Sequence, residues 1–140
     1  MKNKNKKEEA RRRKFVENCV EHLRKNMFME DWDFRYEQAE EDSKGPDADS
    51  TVAASINTSY MYKSACITIY PFFWSKHLDD EDRAKTLVHE LLHCLVDEIT
   101  ELARNSMSGK SVTREQLQIA NERTTTNLTA IVHRLLGKTK

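Results

Sequence analysis

Apolar residues recur every four positions near the start of the chain: Phe15, Cys19, Leu23 and Met27, with Val16 and Val20 beside them. A helix places residues of that period on one side, so a long amphipathic helix is predicted over about 6–29. The period then shortens to two. In residues 31–38 (DWDFRYEQ) Trp32, Phe34 and Tyr36 alternate with charged neighbours, the pattern of a half-buried strand. Residues 51–58 (TVAASINT) and 65–70 (ACITIY) read as two further strands, the second rich in β-branched residues and closed by Pro71. The acidic stretch EEDSKGPDADS between the first two strands reads as a loop, with Gly45-Pro46 as its breaker. Loops rather than helices join the strands, which predicts a small, largely antiparallel or mixed sheet. Phe72, Phe73 and Trp74 form an aromatic cluster expected in the core.

The helical period returns near residue 80. Asp79 stands three positions before Asp82, with Asp80 and Glu81 between them. Acids there cap free N–H groups and suit the positive end of the helix dipole, so a helix is expected over about 80–104. On a wheel of ~100° per residue, Ala84, Leu87, Val88, Leu91, Leu92, Leu95, Ile99 and Leu102 cover one broad side. Thr86, His89, Glu90, His93, Asp97 and Thr100 gather on the other. The stretch NSMSGKSV around Gly109 reads as a connection. Thr113 and Gln116 have capping-box spacing for a last helix ending near Leu136, with Gly137 as its stop. Its expected apolar face is Leu117, Leu128, Ile131, Val132 and Leu135, with Glu115, Glu122, Thr129 and His133 along one margin. The predicted fold class is α+β: a long N-terminal helix, a small three-stranded sheet and two further helices.

Composition narrows the function classes. The chain has 140 residues, the size of one domain. Its 23 basic and 23 acidic side chains cancel, which excludes a generally basic nucleic-acid binder. Residues 1–14 hold eight basic and two acidic side chains, a basic N-terminal extension ahead of a single domain over 15–137. No aromatic residue is interleaved there, so base stacking has nothing to use. No apolar run approaches the ~20 residues that span a bilayer, and no apolar stretch follows the basic start. Three cysteines, Cys19, Cys66 and Cys94, lack CxxC spacing, so a reducing cytoplasmic setting is expected.

One motif carries chemistry. His89-Glu90-Leu91-Leu92-His93 is HExxH. Random order of five His and fourteen Glu in 140 positions yields roughly 0.02 such motifs, so the match is selective. Two histidines four apart on a helix differ by roughly 40° around the axis and ~6 Å along it, so both imidazoles can converge on one metal. Glu90 can reach past the metal to a water bound there, whose pKa zinc lowers to about 7. Zinc needs a third protein ligand. Asp97 and Glu101 are carried away along the same helix, and Asp97 suits contact with a ligand histidine better. Glu115 lies in the first turn of the last helix, where dipole stabilisation accounts for it. Glu122 is mid-helix at the border of the expected buried face and is the favoured ligand, with Glu115 and Asp97 as alternatives. Cys94 should be a small buried residue. His22, His77 and His133 read as ordinary surface or supporting histidines.

The segments TLVHELLHCLVDEI (86–99) and ANERTTTNLTAIVHRLL (120–136) resemble the zincin metallopeptidases. The nearest resemblance is to small gluzincin-type domains, including compact phage-type ones. It covers roughly residues 15–136 by order and spacing, with only HExxH a specific motif. In gluzincins the third ligand is a glutamate on a later helix, often preceded by Asn, and Asn121-Glu122 matches that position. The resemblance implies a zincin-like fold, one zinc on His89, His93 and Glu122, and Glu90 as general base in peptide-bond hydrolysis. It also implies that the last sheet strand, residues 66–70, borders the cleft and binds substrate in extended form. The chain departs from the family in two places. No HExxHxxGxxH continuation is present, which excludes the metzincin branch. The Ser-Asp pair that supports a ligand histidine in some gluzincins is missing, leaving Asp97, Thr125 or Thr126 for that role. Tyr60, Tyr62, Tyr70 and His133 are the candidates for stabilising an oxyanion. The expected partner is a peptide or protein substrate, with neither membrane nor nucleic acid. The alternative function is a non-catalytic zinc-containing binding module on the same scaffold.

Overall fold

The computed structural model describes residues 2–27, 29–47, 49–59, 62–108 and 113–137; within these, the side chains of 2–5, 97–102, 105–106, 120, 123 and 127 fall outside the description. The chain divides into two compact units, residues 1–32 and 33–140. The first is built on helix α1 (Lys2–Asn26), which runs without a break through the basic segment. Glu8 pairs with Arg12 and Arg13 with Glu17, each one turn apart, which favours helix in an otherwise self-repelling run. Val16 and Leu23 are buried and Phe15, Cys19, Val20 and Met27 half-buried, so the predicted stripe is the least exposed side of the helix.

The second unit holds β1 (Asp33–Gln38), β2 (Ser43–Lys44), β3 (Thr51–Val52), β4 (Ala54–Ser59), β5 (Ser64–Ile69), α2 (Asp80–Ser106) and α3 (Arg114–Gly137). The predicted α+β class with a three-stranded mixed sheet is what the chain adopts. Strand order is β1-β5-β4, with β1 parallel and β4 antiparallel to β5. Two expectations change. Residues 51–58 do not form one strand: Thr51–Val52 turns back to pair with Ser43–Lys44, inside the stretch read as a loop, and Ala54 begins a separate strand. Gly45 lies in this ribbon against the Ser50 side chain, which a Cβ there would have to displace. The second change concerns residues 66–70. Most of them lie in β5, the central strand, whose two edges are taken by β1 and β4. It has no open edge on which to bind an extended peptide.

Period-two alternation gives the sheet one apolar face. Ala54, Ala65, Ile67 and Ile69 are buried there, beside half-buried Phe34 and Tyr36 on β1 and Ile56 and Thr58 on β4. Asp33, Arg35, Glu37, Ser55, Asn57 and Thr68 occupy the other face. After β5, Pro71–Trp74 makes one 3-10 turn that buries Phe73 against the edge of Trp74. Arg83 fastens this turn to the start of α2: Nε donates to Phe73 O at 2.8 Å and an Nη to Ser75 O at 3.0 Å. Asp79 and Asp82 form a full capping box, so the predicted start of α2 is where it occurs. Thr113 and Gln116 cap α3 in the same reciprocal way.

Helix α2 packs against β4 and α3, meeting α3 through the stripe that carries His89 and His93. Leu87, Val88, Leu91, Leu92 and Cys94 are all buried, and each large aliphatic among them contributes about 1.5–3 kcal/mol of apolar burial. The predicted inner face of α3 is corrected in part: Leu117, Leu128 and Val132 are half-buried as expected. Ile131 and Leu135 are 56% and 62% exposed, while Thr125 and Thr129 are buried. The helix is rotated so that Thr125 and Thr129, rather than Ile131 and Leu135, face the polar stripe of α2.

Candidate metal centre

His89 and His93 project from the polar stripe of α2 because they are four apart on one helix. Their Nε2 atoms stand 3.2 Å from each other. Helix α3 runs alongside and brings Glu122 to the same point: Oε1 is 3.4 Å from His93 Nε2 and Oε2 is 3.7 Å from His89 Nε2. The three ligand atoms all lie within 4.8 Å of one another. Atoms bound at about 2.0–2.2 Å to a tetrahedral ion stand roughly 3.3–3.6 Å apart, so this spacing fits one small divalent cation. The Glu122 contacts, at 3.4 and 3.7 Å, are longer than good N–H···O hydrogen bonds, so hydrogen bonding alone is a poor account of the cluster. Among the described residues it is the one group of His, Cys, Asp and Glu side chains so arranged.

The site is dry on one side and open on the other. Glu90 is 6% exposed, whereas the Glu122 side chain is 54% exposed. Burial pushes the Glu90 carboxyl up to about 8, and the nearby charge of Glu122 adds to this. Burial also lowers the pKa of His89, reinforced by His93 and opposed by Glu122. Thus His89 favours the neutral form that binds metal, and Glu90 holds a proton unless positive charge arrives.

Behind each imidazole stands a threonine of α3. Thr125 Oγ1 lies 3.4 Å from His93 Nδ1, and Thr129 Oγ1 lies 3.3 Å from His89 Nδ1. Thr125 was one of the sequence candidates for supporting a ligand histidine; Thr126 is exposed. Thr129 was placed only on a helix margin. The signal that could have found it is its spacing: Thr125 and Thr129 are four apart, as are the two histidines.

The other candidates whose side chains are described stay away from the cluster. Glu115 is exposed in the first turn of α3 and takes no part in it. The side chains of Asp97 and Glu101, and all of Tyr60, lie outside the described residues. Tyr62 is exposed. The Tyr70 hydroxyl is hydrogen-bonded to Ser55 at 3.2 Å, on the polar face of the sheet. His133 reaches instead to Glu81 at the start of α2, at 4.0 Å. Among the described residues of that set, none is therefore assigned as an oxyanion donor. His22 contacts Asn26 within α1, and His77 stacks on Phe72.

Compared with family models, curated proteins and solved structures, the chain matches none of them. No helix among the described residues is long and apolar enough to cross a membrane.

Proposed function

We propose that the protein is a zinc-dependent peptide hydrolase of zincin-like fold. The observation supporting this is the convergence of His89 Nε2, His93 Nε2 and the Glu122 carboxylate at single-ion spacing, with Glu90 buried at the adjacent helical position. Two imidazoles and one carboxylate form a donor set used by catalytic zinc, and three protein ligands leave a coordination position open. A zinc ion held there would supply a Lewis acid that polarises a carbonyl and acidifies water. The chain's own groups supply the remainder. His89 and His93 present their Nε2 atoms to the ion, and the exposed side of Glu122 leaves the cluster accessible to a substrate. Glu90 takes the proton released as water attacks the peptide carbonyl and returns it to the departing amine.

The test is zinc per chain by elemental mass spectrometry, on protein purified without chelator or histidine tag. About one zinc per chain is expected, with Glu90→Gln retaining the metal and losing hydrolysis of a peptide library. A chain that takes up no zinc, or a Glu90→Gln protein that still hydrolyses peptides, overturns the proposal.

A further inference from the structure

We infer that Thr125 and Thr129 are positioning residues: their hydroxyl oxygens hold His93 and His89 as Nδ1–H tautomers, aiming both Nε2 lone pairs at the cation. The inference rests on the metal-centre reading above.

A threonine hydroxyl has one proton to donate and two lone pairs to accept with. The Thr125 hydroxyl lies 2.8 Å from Asn121 O, and the Thr129 hydroxyl lies 2.7 Å from Thr125 O. The contacts to the imidazoles are longer, at 3.4 and 3.3 Å. A carbonyl can only accept, so the single hydroxyl proton goes to the shorter contact one turn back. Each hydroxyl then turns only lone pairs toward its ring, and Nδ1 must be the donor. A neutral imidazole has one N–H, so Nε2 is left bare. Both Nε2 atoms point into the cluster with Glu122.

Placement makes an incidental contact a poor explanation. The pair on α3 repeats the i,i+4 spacing of the pair on α2, one hydroxyl behind each ring. Both threonines are buried, while Ile131 and Leu135 of the same helix stand in solvent. An interhelical contact needing only bulk would be served better by the aliphatic side chains, because a buried hydroxyl costs stability unless it is hydrogen-bonded. A ligand histidine usually donates its second N–H to a carboxylate, carbonyl or water. Here a neutral hydroxyl takes that place and orients the ring without adding charge.

The test reads tautomers directly. In 15N-labelled, chelator-treated protein at pH 8, long-range proton–nitrogen correlation should show His89 and His93 as Nδ1–H. Thr129→Val should disturb the His89 pattern and Thr125→Val that of His93, each lowering zinc affinity by about 10–100-fold. Thr→Ser at either position should restore tautomer and affinity. Melting by circular dichroism checks folding, and the wild-type tautomers are informative even if a valine variant fails to fold. Wild-type rings protonated at Nε2, or folded valine variants with unchanged tautomers and zinc affinity, overturn the inference. Wild-type protein that binds no zinc overturns the metal-centre reading instead, while the metal-free spectra still judge the threonines.

Discussion

Nε2 of His89 stands 3.2 Å from Nε2 of His93, and Glu122 closes the third corner of the group. With Nδ1 protonated in both rings, that approach sets two lone pairs against each other. A cation between them converts the repulsion into ligation, so metal binding should stabilise the fold. Zinc at 100 times its dissociation constant should add about 2.7 kcal/mol to unfolding stability. His89→Ala, His93→Ala and Glu122→Ala should each weaken zinc by more than about 100-fold, beyond the usual effect of removing an outer partner. Calorimetric titration and melting with and without chelator measure both. A Glu122→Ala protein with unchanged affinity would return the third-ligand role to another acid.

Glu90 should make the metal-free protein sensitive to alkali. Its folded pKa of about 8 lies above its ordinary 4.5, so the folded state binds the extra proton. Stability from this group is complete below about 4.5 and falls as pH rises toward 8. His89 has the opposite sign: its pKa is lowered, so its contribution is present above 6.5 and lost as pH falls. The two oppose each other below 6.5, and Glu90 acts alone above it. The midpoint of urea unfolding in chelator should therefore decline between pH 6.5 and 8, by the equivalent of a few kcal/mol at most. Glu90→Gln should flatten that decline. Zinc should reduce it too, because metal binding strengthens as its ligands lose protons.

Arg83 joins two segments through one guanidinium. Its side chain reaches Phe73 O, Ser75 O and Asp80 and is only 16% exposed. Arg83→Ala leaves two backbone carbonyls without these donors and should cost about 1–3 kcal/mol in urea unfolding at unchanged m-value. Arg83→Lys should recover part of this, since an ammonium lacks the planar fork that spans two carbonyls.

The helix caps should matter independently of the metal. Asp79→Ala and Thr113→Ala each remove a reciprocal capping box. Each should cost about 1 kcal/mol of unfolding stability, whether or not zinc is present. Unequal costs with and without zinc would reveal that a cap is coupled to the cluster.

The local rules of the chain reached far into this structure. Helical period, two capping boxes and alternating apolar positions located α2, α3, β1 and β5, and most of β4, because those signals act over a few residues. HExxH spacing likewise determined that His89 and His93 share one side of a helix. Even the place of Glu122 in the cluster was accessible, as a mid-helix acid for which dipole stabilisation is a weaker explanation. What the chain alone left open depends on how elements meet. Strand order is non-local, so the central position of β5 could not be read from ITIY, and a substrate edge was assigned to a strand that has none. The rotation of α3 was misjudged because hydrophobicity favoured Ile131 and Leu135 for the inner face. The polar stripe on α2 instead required hydroxyls opposite its imidazoles, and only the packing of the two helices shows that Thr125 and Thr129 meet that requirement.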